Sequence, residues 1–191
     1  MAKSESTFKN MLLSLTLISF GAAACLAFVY EVTKKPIEIS NLNKKLNAIK
    51  QVVPEFNNNP NDEMFRLATG EGDSLDVYPA KKDNEIIGYA VNTYTNSGFS
   101  GNITLMAGFR PDGSIITISV LSQKETPGLG TKMSEPAFKD QFTGKNPSEF
   151  PLKVKKDGGQ VDAITAATIS SRAFCDAVQR GYNTLQKGGQ K

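Results

Sequence analysis

The chain has 191 residues, with 22 Lys and Arg against 19 Asp and Glu, for a formal net charge of +3. That length holds one domain and an extra segment, and the absence of a Lys/Arg stripe with interleaved aromatics argues against nucleic acid as a partner. It has no histidine, two cysteines (Cys25 and Cys175) and no C-x-x-C, so haem, zinc and iron–sulfur sites lack their usual ligands, no metal site is expected, and Ser-His-Asp or Cys-His catalysis is excluded.

Residues 11–30, MLLSLTLISFGAAACLAFVY, carry no charge. Twenty such residues match the thickness of a bilayer core. Lys3 and Lys9 precede them and keep residues 1–10 cytoplasmic, although Lys34 and Lys35 on the far side pull the other way. Ala22-Ala-Ala-Cys25 hints at a lipoprotein signal, but Ala stands at 22 where Leu is usual and Leu26 to Tyr30 continue the apolar run. The expectation is an uncleaved single-pass anchor, with the rest outside the cytoplasmic membrane.

Beyond the anchor, Leu42, Leu46, Ile49 and Val53 recur at helical spacing and Pro54 closes the segment. Residues 57–62 read as a polar loop, and 63–84 show no legible period. The stretch 31–84 is therefore taken as a helical stalk and the start of the extracytoplasmic domain. Three strands are expected at Glu85–Asn92, Asn102–Phe109 and Ser114–Leu121. Arg110-Pro-Asp-Gly113 makes an antiparallel hairpin of the last two, since Pro presets φ and Gly takes the awkward position. Thr104 also completes a glycosylation sequon with Asn102, and is read simply as a strand residue.

Ser122 to Lys132 form an irregular loop with exposed amides, without the spacing of a Walker A or dinucleotide motif. A short helix is expected over Pro136–Phe142, with Phe138 and Phe142 on one face. Residues 143–160 read as a basic loop with a short strand near Leu152 and Val154. The order of elements predicts an α+β fold with an antiparallel sheet and packed helices, with its core at 85–187 and a tail at 188–191.

The segment Asp162-Ala-Ile-Thr-Ala-Ala-Thr168-Ile-Ser-Ser171 ends in a run of hydroxyls. An amphipathic helix follows, with Phe174, Val178, Tyr182 and Leu185 on one face and Gly188 and Gly189 as its stop. Thr168, Ser170 and Ser171 thus lie at a helix start, where free amides and the macrodipole favour an anion. A plain N-cap is the competing reading.

The stretch Gly98-Phe-Ser-Gly-Asn-Ile-Thr-Leu-Met-Ala-Gly108, the loop Glu125-Thr-Pro-Gly-Leu-Gly130 and the segment 162–168 resemble the FMN-binding domain of the RnfG and NqrC proteins of ion-pumping electron-transport complexes. The resemblance spans residues 10–187, and the chain is nearer RnfG in length. It implies FMN joined covalently, through a phosphoester placed by a separate flavin transferase, to Thr168. It implies that Asp162 and Thr165 flank the attachment point as the transferase's recognition positions. Glu125, Thr126, Gly128 and Leu129 would lie against the flavin, and Ala166, Ala167 and Ile169 would surround its phosphate and ribityl chain. Ser170 and Ser171 become caps or phosphate neighbours. Partners would be other membrane subunits of an Rnf-type complex, and no catalytic side chain is implied. Two departures stand out: Ala166 where the family usually has Gly, and Gln123 where many members have His. A stand-alone flavinylated carrier and a non-redox membrane-anchored binding domain are the alternatives.

Overall fold

The computed structural model describes residues 7–70 and 72–188. The expected cytoplasmic Lys3 and the tail from Gly189 lie outside the described residues. The chain divides into two compact units, 1–43 and 44–191.

Helix α1 runs from Phe8 to Val52 and carries Pro36 within it. Where anchor and stalk were expected as separate segments, one helix passes through both. A proline removes a single backbone hydrogen bond, and the flanking turns hold the helix across it. Its first part is long and apolar enough to cross a membrane. Leu12, Leu17, Phe20 and Phe28 are exposed there, as lipid-facing side chains are.

The second unit is built on a five-stranded antiparallel sheet in the order β1-β2-β3-β4-β5. The strands are β1 Phe65–Ala68, β2 Ser74–Lys82, β3 Glu85–Gly98, β4 Gly101–Phe109 and β5 Ile115–Ser122. The unread stretch 63–84 therefore holds β1 and β2. Strand β2 hides its period because Val77, Tyr78 and Ala80 are all buried, on both faces, and because Pro79 sits inside it. The Arg110–Gly113 turn forms as expected, closed by Gly113 N–H donating to Arg110 C=O at 2.9 Å.

One face of the sheet packs on α3, Thr168–Gly188. Phe174, Val178 and Leu185 are buried against Val91, Leu105 and Phe109, and Tyr182 is half-buried beside them. Phe138, Phe142 and Phe174 meet with ring centroids 5.1 to 5.6 Å apart, within the range of favourable aromatic pairs. Phe138 belongs to the short helix α2, Pro136–Lys139, and Phe142 to the 3-10 turn that continues it. The other face is covered by the last turns of α1, where Ile49, Val52 and Val53 meet Tyr78, Ala90 and Met106. A Cβ on Gly108 would collide with the Val52 carbonyl oxygen, so glycine is what lets α1 dock there. Around Leu152 and Val154 the expected strand is reduced to a single bridge, Val154 to Val161.

Candidate functional site

Two turns of one kind face each other across a cavity of about 390 Å³. The first is Thr126-Pro-Gly-Leu129, in which Leu129 N–H donates to Thr126 C=O at 3.1 Å and Gly128 has φ +76°. Proline second and a positive φ third is the type II pattern. The second is Ile164-Thr-Ala-Ala167, closed by Ala167 N–H to Ile164 C=O at 3.0 Å, with Ala166 at φ +59°. Its third position is again left-handed, which an L side chain occupies at a cost of about 1–2 kcal/mol. The departure at 166 thus falls where the backbone wants glycine.

The second turn delivers the chain into α3. Ser171 N–H donates to Ala167 C=O at 3.0 Å, which leaves the amides of Thr168, Ile169 and Ser170 at the open end of the helix. Thr168 lines the cavity, and its hydroxyl makes no hydrogen bond among the described residues. Of the expected cofactor residues, Glu125, Thr126 and Leu129 form one wall, and Ala166, Ala167 and Ile169 the other. Gly128 is absent from the lining; it shapes the loop, donating its N–H to Thr131 Oγ1 at 3.0 Å.

The hydroxyls beside Thr168 are engaged within the protein, although Ser170 also lines the cavity. Ser170 Oγ donates to Glu125 Oε2 at 2.5 Å. Ser171 Oγ accepts from Ile164 N–H at 2.9 Å and donates to Ala167 C=O at 3.0 Å, bracing the second turn. Both serines are buried. Thr168 is the one of the three whose hydroxyl makes no hydrogen bond among the described residues.

Glu125 is only 4% exposed. Its Oε1 accepts from Ser100 N–H at 2.9 Å, and its own N–H donates to Gln123 Oε1 at 2.6 Å. Gln123 thereby serves the loop's backbone. Gly130 exists to admit this carboxylate, since a Cβ there would sit 2.6 Å from Ser170 Oγ and 2.7 Å from Glu125 Cβ.

Asp162 and Thr165 are not in the cavity. They line a neighbouring cleft of about 300 Å³ with Lys132, Glu135 and Gln141. Gln141 clamps the Asp162 backbone, accepting its N–H at 2.7 Å and donating to its C=O at 3.2 Å. The Asp162 carboxylate points out to Lys155 Nζ at 2.7 Å. Cys175 lies on α3, buried, and burial pushes its thiol up to about 12, so it is no nucleophile near neutrality.

Sequence reasoning passed over Phe99. It stands at the tip of the β3–β4 hairpin, between the paired Gly98 and Gly101, and it lines the cavity. The glycines on either side were the available signal, marking a tight turn that presents its central residues.

The open helix end, the unpartnered hydroxyl and a cavity with apolar and polar walls suit a phosphate with a flat aromatic attached. A family model described as the FMN-binding domain matches residues 98–183, a span that holds Phe99, both turns and Thr168. The chain is 35% identical over 186 residues to the G subunit of the Na(+)-translocating ferredoxin:NAD(+) oxidoreductase complex of Acetobacterium woodii, covering 91% of this chain and 89% of that one. It is 33% identical over 189 residues to the G subunit of the ion-translocating oxidoreductase complex of Methanosarcina acetivorans, covering 94% and 96%. Among solved structures, the C subunit of the Na(+)-translocating NADH-quinone reductase from Parabacteroides distasonis superposes with a TM-score of 0.59 at 21% identity, covering 80% and 95%, which establishes a shared fold.

Proposed function

The chain belongs to the RnfG family, the G subunits of ion-translocating oxidoreductase complexes, and we propose accordingly that it is the family's membrane-anchored electron carrier, holding FMN through a phosphoester to Thr168. The observation that carries this is the Thr168 hydroxyl, unpartnered at the mouth of a cavity that falls within the FMN-binding match. FMN supplies the redox chemistry, taking up and giving back electrons. The protein's part is to bind, orient and shield. The amides opening α3 face the phosphate position, where negative charge gains up to ~2 kcal/mol from the helix end. The turns at 126–129 and 164–167 set the cavity's width, and Leu129 and Ile169 would cover the edge of the bound group.

A covalent tether removes dissociation. That matters if the domain lies on the extracytoplasmic side, away from the cytoplasmic flavin pool, as the lysines before the anchor suggest. The α1 anchor keeps the carrier among the other subunits and raises its effective concentration. The cleft with Asp162 and Thr165 adjoins the attachment residue, and its exposure suits recognition by a flavin transferase during maturation.

The test is co-expression with a flavin transferase. The protein is expected to be yellow, with fluorescence that survives a denaturing gel and a mass increase on the peptide containing Thr168. Thr168→Val abolishes the band; Thr165→Val leaves the acceptor hydroxyl in place. A colourless protein with unmodified Thr168 sinks the carrier reading, and loss of flavin in Thr165→Val but not in Thr168→Val moves the attachment point.

A further inference from the structure

We infer that Phe99 covers one face of the flavin ring, and that Glu125 is a positioning residue that holds Phe99 at the right distance from Thr168. This rests on the reading of Thr168 as the attachment point. Phe99 is 66% exposed, Ile169 47% and Leu129 39%. A single exposed apolar side chain is ordinary. Here three come from three separate segments, the β3–β4 tip, the start of α3 and the 125–130 loop, and they converge on the cavity that Thr168 opens into. Such a rim stays wet until a flat apolar body fills it. Of the three, Phe99 is the aromatic one, and offset stacking on a planar ring adds to the gain from burial alone.

Glu125 does not reach for the flavin, because both of its oxygens are committed within the protein. Oε1 takes the amide of Ser100, the residue after Phe99, and Oε2 takes the hydroxyl of Ser170, two residues after Thr168. One carboxylate therefore ties the hairpin tip to the first turn of α3. Its approach is enforced from two sides: a Cβ on Gly98 would lie 2.9 Å from Oε1, and one on Gly130 would lie 2.8 Å from Oε2. A charge held by an amide and a hydroxyl at once is a stiff strut.

The chain contains no tryptophan, so an introduced indole is a clean reporter of contact with a flavin, which it quenches by electron transfer at close range. The experiment uses the full-length protein co-produced with a flavin transferase, with loading of Thr168 checked by mass. Fluorescence is read as the ratio of native to denatured signal. Phe99→Trp is expected to lower that ratio several-fold. Ile86→Trp, an exposed apolar position at the far end of β3, leaves it unchanged. In the Phe99→Trp background, Glu125→Ala relieves the quenching at least in part, and Glu125→Gln, which keeps an acceptor for Ser100, restores it.

A loaded Phe99→Trp protein as bright as wild type overturns the assignment of Phe99. Undiminished quenching in the Glu125→Ala double variant overturns the role of Glu125, and should that variant fail to fold, the single variant still decides on Phe99. Absence of flavin on wild-type Thr168 overturns the attachment reading and this inference together, so the two failures are told apart by mass alone.

Discussion

The hydroxyl of Ser170 donates a 2.5 Å hydrogen bond to Glu125 Oε2, joining the opening turn of α3 to a loop 45 positions earlier in the chain. Both groups are buried. The two walls of the cavity are thus held by one charge-assisted contact, and the stability of the domain and the shape of the site rest on the same pair.

Glu125→Ala strips the acceptor from the Ser100 amide and the Ser170 hydroxyl together. Losing hydrogen bonds to a buried charge and leaving their donors unpaired costs about 2–3 kcal/mol. Urea unfolding of the unflavinylated protein is expected to show that loss, with Glu125→Gln retaining part of it. A change in ΔG under about 0.5 kcal/mol, the range of ordinary surface substitutions, would contradict the buried strut.

The two type II turns make a matched pair of opposite substitutions. Ala166→Gly relieves a left-handed alanine, and after the added chain entropy of glycine the net gain is about 0.5–1 kcal/mol. Gly128→Ala imposes the same strain at φ +76°, with nothing within 4 Å of the new Cβ to confuse the result, and costs about 1 kcal/mol. The midpoints of thermal unfolding should move in opposite directions, and a destabilised Ala166→Gly protein would rule out the turn assignment.

Gly130→Ala acts by collision instead of strain, because its Cβ would meet Ser170 Oγ at 2.6 Å. Overpacking of this kind costs about 1–3 kcal/mol. The pair would be forced apart, so less flavin per protein should be attached. The absorbance ratio of flavin to protein measures it, and full loading with unchanged stability would show that the wall yields freely.

Cys175 offers a test in alkaline solution. Burial holds its thiol up to about 12 against an ordinary 9.0. The unfolded chain therefore releases this proton first as pH rises, and stability from this group is intact below pH 9.0 and declines from there through about 12. Cys175→Ala should flatten that part of the stability profile. In a Cys25→Ser background, iodoacetamide at pH 8 should leave the native thiol unmodified and label it promptly in urea; prompt labelling of the folded protein would mean that the thiol is accessible.

Much of the architecture was legible along the chain. The anchor is an unbroken apolar run, the 110–113 turn is written in Pro and Gly, and the buried face of α3 follows a helical period. The resemblance singled out most of the residues that line the cavity, Glu125, Thr126, Leu129, Ala166, Ala167, Thr168 and Ile169, together with Gly128, which does not line it. Strand β2 was not legible, because burial on both faces erases the alternation that marks a strand and Pro79 argues against one; β1 is a four-residue, mostly exposed edge strand, too short to show a period. Phe99 was missed because the flanking glycines mark a tight turn but do not say which hollow its central residues face. The separation of Asp162 and Thr165 into their own cleft was hidden, since three residues of sequence say nothing about which side of a turn faces which hollow.

By itself the sequence determined the helical anchor, the kind of domain that follows it and the positions where the backbone must turn, because those properties are set by side chains within a few residues of one another. The tertiary structure decided which hydroxyl is free. Thr168, Ser170 and Ser171 are chemically alike and adjacent. Ser171 is engaged by the backbone of the 164–167 turn and Ser170 by Glu125 from a distant loop, and that leaves Thr168, at the cavity, as the one without a hydrogen-bond partner among the described residues.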